Sequence, residues 1–182
     1  GVDWAAWPQH GNSFGDYAAT RFRQQVARGA SGLKIWKPFG LHVKDQHEHL
    51  VAVDDERLIP LWETAGELNT PVIVHVADPA AFFDPLDATN ERWEELNAHP
   101  DWHFPPDKFP AFMDIMNAFA RVVKRHPNTT FIGAHVGCYA ENLGWVRALL
   151  DDCPNFHVDI SARLGELGRQ PYSARKFFID YA

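Results

Sequence analysis

Short apolar runs alternate along this chain with longer stretches of helical period, and no other property of the sequence narrows the fold as far. The runs Val2–Trp7, Gly32–Trp36, Pro71–Ala77, Thr130–His135 and Phe156–Ser161 are short and mostly rich in β-branched or aromatic residues. Each is predicted to be a strand. Helices are predicted between them. Asp16–Arg28 has Gly29 as its stop, and Asp55–Leu68 carries Leu58, Leu61, Trp62, Ala65 and Leu68 on one stripe. Pro60 should delay the regular part of that helix, leaving a looser turn before it. Phe112–Arg125 shows the clearest period, with Ile115, Met116, Phe119, Val122 and Val123 at three-to-four spacing. Glu141–Asp152 and a last helix from about Tyr172 to Ile179 complete the pattern.

Connections of this length join parallel strands, and a parallel sheet flanked by helices is either a closed barrel or an open, doubly wound sheet. Nothing matches GxGxxG or GxxxxGK[ST], which weakens the nucleotide-binding open sheet. Five strands do not close a barrel of eight, which takes about 250 residues against the 182 here. The expected fold class is therefore α/β, a partial (β/α)8 TIM barrel of parallel strands with outer helices. Residues 1–182 then form one incomplete barrel domain, with 78–108 as a lid or insertion over one face.

The net charge is −7 with no basic run, which argues against nucleic acid or an anionic membrane as partner. No apolar stretch approaches the roughly 20 residues of a membrane span. The start lacks the basic and apolar regions of a signal peptide. Cys138 and Cys153 form no CxxC motif, so a cytoplasmic, reducing setting is expected. Sheet edges left open by missing strands would favour association, including a homo-oligomer.

Two of the runs end in histidine, at His75 and His135. Parallel strands deliver such residues to one carboxyl edge, where α/β proteins build their sites. By strand parity Ile73 and His75 share a face, as do Phe131, Gly133 and His135, and both faces are expected to point into the barrel. Paired imidazoles suit a borderline divalent ion or proton transfer near neutral pH, although a catalytic metal usually takes three protein ligands. His47-Glu48-His49 has ligand-like spacing but no apolar strand leading into it, and reads as a solvated loop pair. His10, His42, His99, His103, His126 and His157 read as surface or loop residues.

Lys34, alternating with apolar neighbours, would need a carboxylate or a substrate anion unless it faces a polar mouth. Asp159 and Ser161 share a face on the last run, and Arg163 just beyond them could clamp a carboxylate. The long connection after His75, Asp78 to Asp107, should overhang the same edge. Its aromatics, Phe82, Phe83, Trp93, Trp102 and Phe104, could wall a pocket or fasten the loop to the barrel.

Gly-Leu-Lys-Ile at 32–35, Pro-Val-Ile-Val-His at 71–75, Phe-Ile-Gly-Ala-His-Val-Gly at 131–137 and Val-Asp-Ile-Ser-Ala at 158–162 together resemble the amidohydrolase-related family of metal-dependent hydrolases and decarboxylases. The resemblance implies a (β/α)8 barrel in which these segments are the fourth to seventh strands and Val2–Trp7 a third. It implies His75 as a metal ligand and His135 as the residue that orients or deprotonates a metal-bound water or a substrate group. Lys34, Trp36, Asp78 and Arg163 are then the expected substrate contacts. One divalent ion is implied, zinc first and manganese next, with a small-molecule substrate, a carboxylate or an amide or ester. The family's first-strand histidine pair and eighth-strand aspartate have no counterpart, so the chain is expected to be a fragment with an incomplete metal set. Two alternatives stand beside this expectation: a metal-independent α/β hydrolase using His135 and Cys138, and a non-catalytic barrel remnant serving as a binding or assembly module.

Overall fold

Parallel strands bury side chains on the face that helices cover, and the register here shows which face that is. The computed structural model describes residues 2–77 and 79–181. Among them four strands, β1 (Leu33–Ile35), β2 (Val72–Val74), β3 (Phe131–Gly133) and β4 (Phe156–Val158), form one wholly parallel sheet in sequence order. Leu33, Val72, Phe131 and Phe156 lie in one rank and are all buried. The next rank, Lys34, Ile73, Ile132 and His157, is only half-buried or exposed. One face is thus packed under helices and the other is partly open.

In chain order the helices are α1 (Trp7–His10), α2 (Phe14–Ala27), α3 (Ile59–Glu67), α4 (Trp93–Ala98), α5 (Phe112–Arg125), α6 (Ala134–Gly137), α7 (Leu143–Asp152), α8 (Leu164–Gly168) and α9 (Pro171–Tyr181). The apolar stripe of α5 enters the main core, with Phe119 edge-on to Phe156 at 5.7 Å. From α3, Trp62 lies edge-on to Phe131 at 6.2 Å. A 3-10 turn at Glu56–Leu58 precedes α3, which starts at Ile59 with Pro60 in its first turn, where a missing N–H costs nothing. A smaller cluster, including Val136, Val146, Leu167 and Phe177, joins α7, α8 and α9.

The Val2–Trp7 expectation is overturned: this segment is helical, not a strand. The Asp3 carboxylate accepts from the Ala5 N–H at 3.1 Å and caps a 3-10 turn at Trp4–Ala6. Pro8 then sits in the first turn of α1. Trp7 is fully buried and stacks on Phe14 with ring centroids 4.1 Å apart. A cap, a proline and an aromatic stack outweigh the strand preference of two tryptophans. The long connection after β2 folds into a 3-10 turn (Ala80–Phe83), α4 and a second 3-10 turn (Pro100–Trp102). Phe82, Phe83, Leu96 and Phe104 from this segment belong to the main core, while Trp93 is 47% exposed. Phe82, Phe83 and Phe104 therefore fasten the loop, and Phe82, Trp102 and Phe104 also wall a cleft.

Candidate active site

The carboxyl edge of the sheet gathers a residue or two from the end of every strand. His75 follows β2 directly, and its backbone N–H donates to the Ile35 carbonyl at 3.0 Å, which prolongs the β1–β2 ladder. Asp159 follows β4, and its N–H donates to the Gly133 carbonyl at 3.2 Å. The imidazoles of His75 and His135 meet edge to face, with centroids 4.5 Å apart and planes at 76°.

Strand parity is not what brings these rings together. Phe131 and Gly133 rank with Val72 and Val74 on the helix-covered side, not with Ile73. The expectation that Phe131, Gly133 and His135 share the inward face is thereby corrected. His135 reaches the site because the chain leaves β3 in a left-handed turn, with φ of 58° at His135 and 59° at Val136. Such a conformation costs on the order of 1–3 kcal/mol per non-glycine residue and is rarest for β-branched valine. The surrounding hydrogen bonds hold it. His135 N–H donates to Asp159 Oδ1 at 2.9 Å, Val136 N–H to the Asp159 carbonyl at 2.7 Å, and Cys138 N–H to the Ala134 carbonyl at 2.7 Å. Gly133 leaves the space the turn needs, since a Cβ there would lie 2.6 Å from Gly137 Cα.

Beside His75 opens a cleft of about 470 Å³. Phe82, Trp102 and Phe104 form its apolar wall, and Lys37, Arg92 and Arg163 bring positive charge, with Glu95 and Asp101 as acidic neighbours. Lys37 Nζ stands 4.8 Å from the Phe82 ring centroid. Arg92 donates to Glu95 at 3.1 Å and to the buried Glu166 of α8, while Arg169 pairs with Glu91. These ion pairs tie the 79–108 segment to α8. Arg163 Nη1 donates to the Ala162 carbonyl at 2.6 Å.

Of the residues singled out from the sequence, His75 and Arg163 line this cleft and His135 lies against His75. Lys34 and Trp36 are not among its lining residues. Lys34 Nζ sits 5.3 Å from the Trp36 ring centroid on the half-open face, and Trp36 is 59% exposed. Asp78 lies outside the described residues. His47 and His49 are both exposed, with ring centroids 6.2 Å apart. Lys37, His42 and Arg92 line the cleft and were not expected there. Lys37 was recoverable, since it lies two residues past the end of β1 at the same edge. Arg92 was not, because only the folding of the long connection brings it over His75.

Cys138 does not line the cleft. It is fully buried, its thiol donates to the Val74 carbonyl at 3.6 Å, and it accepts from Val76 N–H at 3.4 Å. The Asp159 carboxyl is held below the usual carboxylate range. Burial opposes its ionisation, but hydrogen bonds from Ser161 Oγ–H and from the N–H groups of His135 and Ser161 outweigh burial. Among the described residues, one group of three or more metal-ligating side chains lies within reach of a common ion: Glu91, Glu141 and Glu166. Two of its members are engaged by Arg169 and Arg92, and neither His75 nor His135 belongs to it. The two imidazoles thus suit a divalent ion in kind but fall short of three ligands in number.

A family model described as Amidohydrolase matches residues 3–182. No curated protein matches the chain. Several solved structures are similar, these two among them. One is 2,6-dihydroxybenzoate decarboxylase complexed with 2,6-dihydroxybenzoate, with a TM-score of 0.51 and 18% identity, covering 88% of this chain and 53% of that one. The other is dihydroorotase from Campylobacter jejuni, with a TM-score of 0.46 and 18% identity, covering 81% of this chain and 33% of that one. At such identity the first likeness speaks to fold alone, and the second is too distant to carry an argument. The chain spans about half and about a third of those two lengths. Four parallel strands in sequence order, with their helices and a cleft at their carboxyl edge, make an enzyme-type partial (β/α)8 barrel, and the match over nearly every residue shows that the chain belongs to the amidohydrolase family.

Proposed function

We propose that this chain carries part of the active site of a metal-dependent hydrolase or non-oxidative decarboxylase acting on a small, carboxylate-bearing and aromatic substrate. The observation that carries the reading is the contact of the His75 and His135 rings beside a cleft with an aromatic wall and three cations. Arg163, with Lys37 and Arg92 near it, would take the carboxylate, since a guanidinium matches it in two parallel hydrogen bonds. Phe82, Trp102 and Phe104 would hold a flat apolar body. Segment 78–108 is read as a lid that limits water at this edge, and His135 as the group that moves a proton. His75 would be one ligand of a divalent ion, zinc first and manganese next, with further ligands from outside the described residues. Such an ion supplies Lewis-acid polarisation of a substrate or water oxygen. Lys34, Trp36 and Asp78 remain proposed substrate contacts for the whole protein rather than for this cleft. Two buried cysteines that form no disulfide, Cys138 and Cys153, suit a reducing compartment such as the cytoplasm. Among the described residues no helix is long and apolar enough to cross a membrane.

The test is elemental analysis of the purified chain beside His75→Ala, together with calorimetric titration of benzoate-type carboxylates into wild type and Arg163→Ala. About one metal per chain, lost in the first variant, and carboxylate binding weakened about tenfold or more in the second are expected. No metal in either protein and no carboxylate binding would sink the reading. β1 and β4 end the sheet, and such edge strands favour a second one, a barrel portion that works as an assembly module. Metal-free, concentration-dependent association in sedimentation velocity would select it.

A further inference from the structure

Ser161 and Asp159 stand beside His135 in an arrangement that decides where its ring proton sits. His135 Nδ1 has two oxygen neighbours, the Ser161 carbonyl at 2.9 Å and Ser161 Oγ at 3.3 Å. A carbonyl oxygen can only accept. The Ser161 hydroxyl has one proton, and it is directed at Asp159 Oδ1, 2.7 Å away. Its oxygen therefore offers Nδ1 only lone pairs. Two acceptors around one nitrogen require that nitrogen to be the donor, which leaves Nε2 as the lone-pair nitrogen of the neutral ring.

We propose that Asp159 is a positioning residue that acts through Ser161 to fix His135 as the Nδ1–H tautomer, which leaves the Nε2 lone pair to accept a proton. One oxygen organises the whole turn: Asp159 Oδ1 accepts from His135 N–H at 2.9 Å, from Ser161 N–H at 2.9 Å and from Ser161 Oγ–H. The first bond holds the left-handed backbone of His135, and the other two set the carbonyl and hydroxyl of Ser161 against its ring. Ala162, with φ of 57°, ends the turn and hands the chain to Arg163 at the cleft. A side chain that orients a working imidazole through its other nitrogen is a general device of proton-transfer and metal sites. The inference rests on the reading of His135 as the site's proton carrier, but its test does not use activity.

Histidine-selective 15N labelling and long-range 1H–15N correlation spectra recorded near pH 8.5, about two units above the ordinary histidine pKa, report the tautomer directly. The His135 signals are assigned by their loss in His135→Gln. In the native chain the Nδ1–H form should exceed the Nε2–H form by roughly tenfold, the worth of about one good hydrogen bond. Asp159→Asn keeps an acceptor oxygen at Oδ1 and should retain the preference. In Asp159→Ala the Ser161 hydroxyl is released to donate to Nδ1, and the population should move toward Nε2–H, the form a solvated imidazole prefers. An Nε2–H ring in the native chain overturns the proposal, as does a folded Asp159→Ala protein with an unchanged tautomer. Should Asp159→Ala not fold, the native and Asp159→Asn spectra still decide, because an Nε2–H ring in either contradicts it. Loss of metal or carboxylate binding in the earlier test, with the Nδ1–H tautomer intact, would remove the functional reading and leave this one standing.

Discussion

Replacing Gly133 by alanine probes the packing that lets the site's turn exist. Gly133 has φ −73° and ψ 112°, values open to any residue, so the substitution carries no backbone penalty of its own. Its cost is one of space. The new methyl would lie 2.6 Å from Gly137 Cα and 3.0 Å from the Phe156 ring atoms Cε2 and Cζ. Carbon atoms rest about 3.5–4.0 Å apart, so the Gly137 backbone must retreat by roughly 1 Å. It is a backbone atom in a turn held by the Asp159 and Ala134 hydrogen bonds, and it cannot rotate aside as a side chain would. Overpacking of this kind costs about 1–3 kcal/mol, and loosening of the turn should place the result near 3 kcal/mol. For a chain of this size that lowers Tm by about 6–12 °C. Urea unfolding followed by tryptophan fluorescence should show an earlier midpoint with an unchanged slope. Gly165→Ala, in α8 where a Cβ meets nothing within 4 Å, is the control, and it should be neutral or gain up to about 1 kcal/mol. A Gly133→Ala protein within about 0.5 kcal/mol of wild type would refute the packing argument.

Gly15→Ala should lose about 2 kcal/mol or more in the same assay although alanine is the better helix former, because its Cβ would lie 1.8 Å from the Arg57 carbonyl oxygen. Phe104→Ala, which empties a buried site shared by the core and the cleft wall, should cost about 3 kcal/mol by urea unfolding and weaken binding of an aromatic carboxylate measured by calorimetry. Asp45, Asp55 and Asp159 all ionise more readily when folded: each resists ionisation through burial and is brought down by its hydrogen-bond donors, which include Arg57 for the first two. Their stabilisation is therefore complete above the unfolded aspartate pKa of about 3.9 and is lost as pH falls through the lower folded values, so unfolding free energy should drop below about pH 4. Asp45→Asn should flatten that acid limb. Arg92→Met, which leaves the buried Glu166 carboxylate without its arginine, should speed hydrogen exchange in α4 and cost about 1–2 kcal/mol, less than a fully buried pair because Arg92 is 28% exposed.

The sequence determined by itself the βα alternation, the parallel sense of the sheet and the placement of His75 and His135 at one edge. These follow from local period and connection length, which nearby residues encode. The apolar stripe of Phe112–Arg125 matches the helix residue for residue, and Pro60 marks where α3 becomes regular. Tertiary structure decided the rest. Val2–Trp7 has the composition of a strand but folds as helical turns, because Trp7 gains more from stacking on Phe14 than from joining a sheet. Arg92 and Trp102 reach the cleft only through the course of a connection without a repeating pattern. Parity along β3 predicted the wrong face for His135, since period-two reasoning stops at the residue where the backbone turns left-handed. What holds that turn is the Asp159 carboxylate, 24 residues further on, and a bond between such distant residues leaves no local trace in the chain.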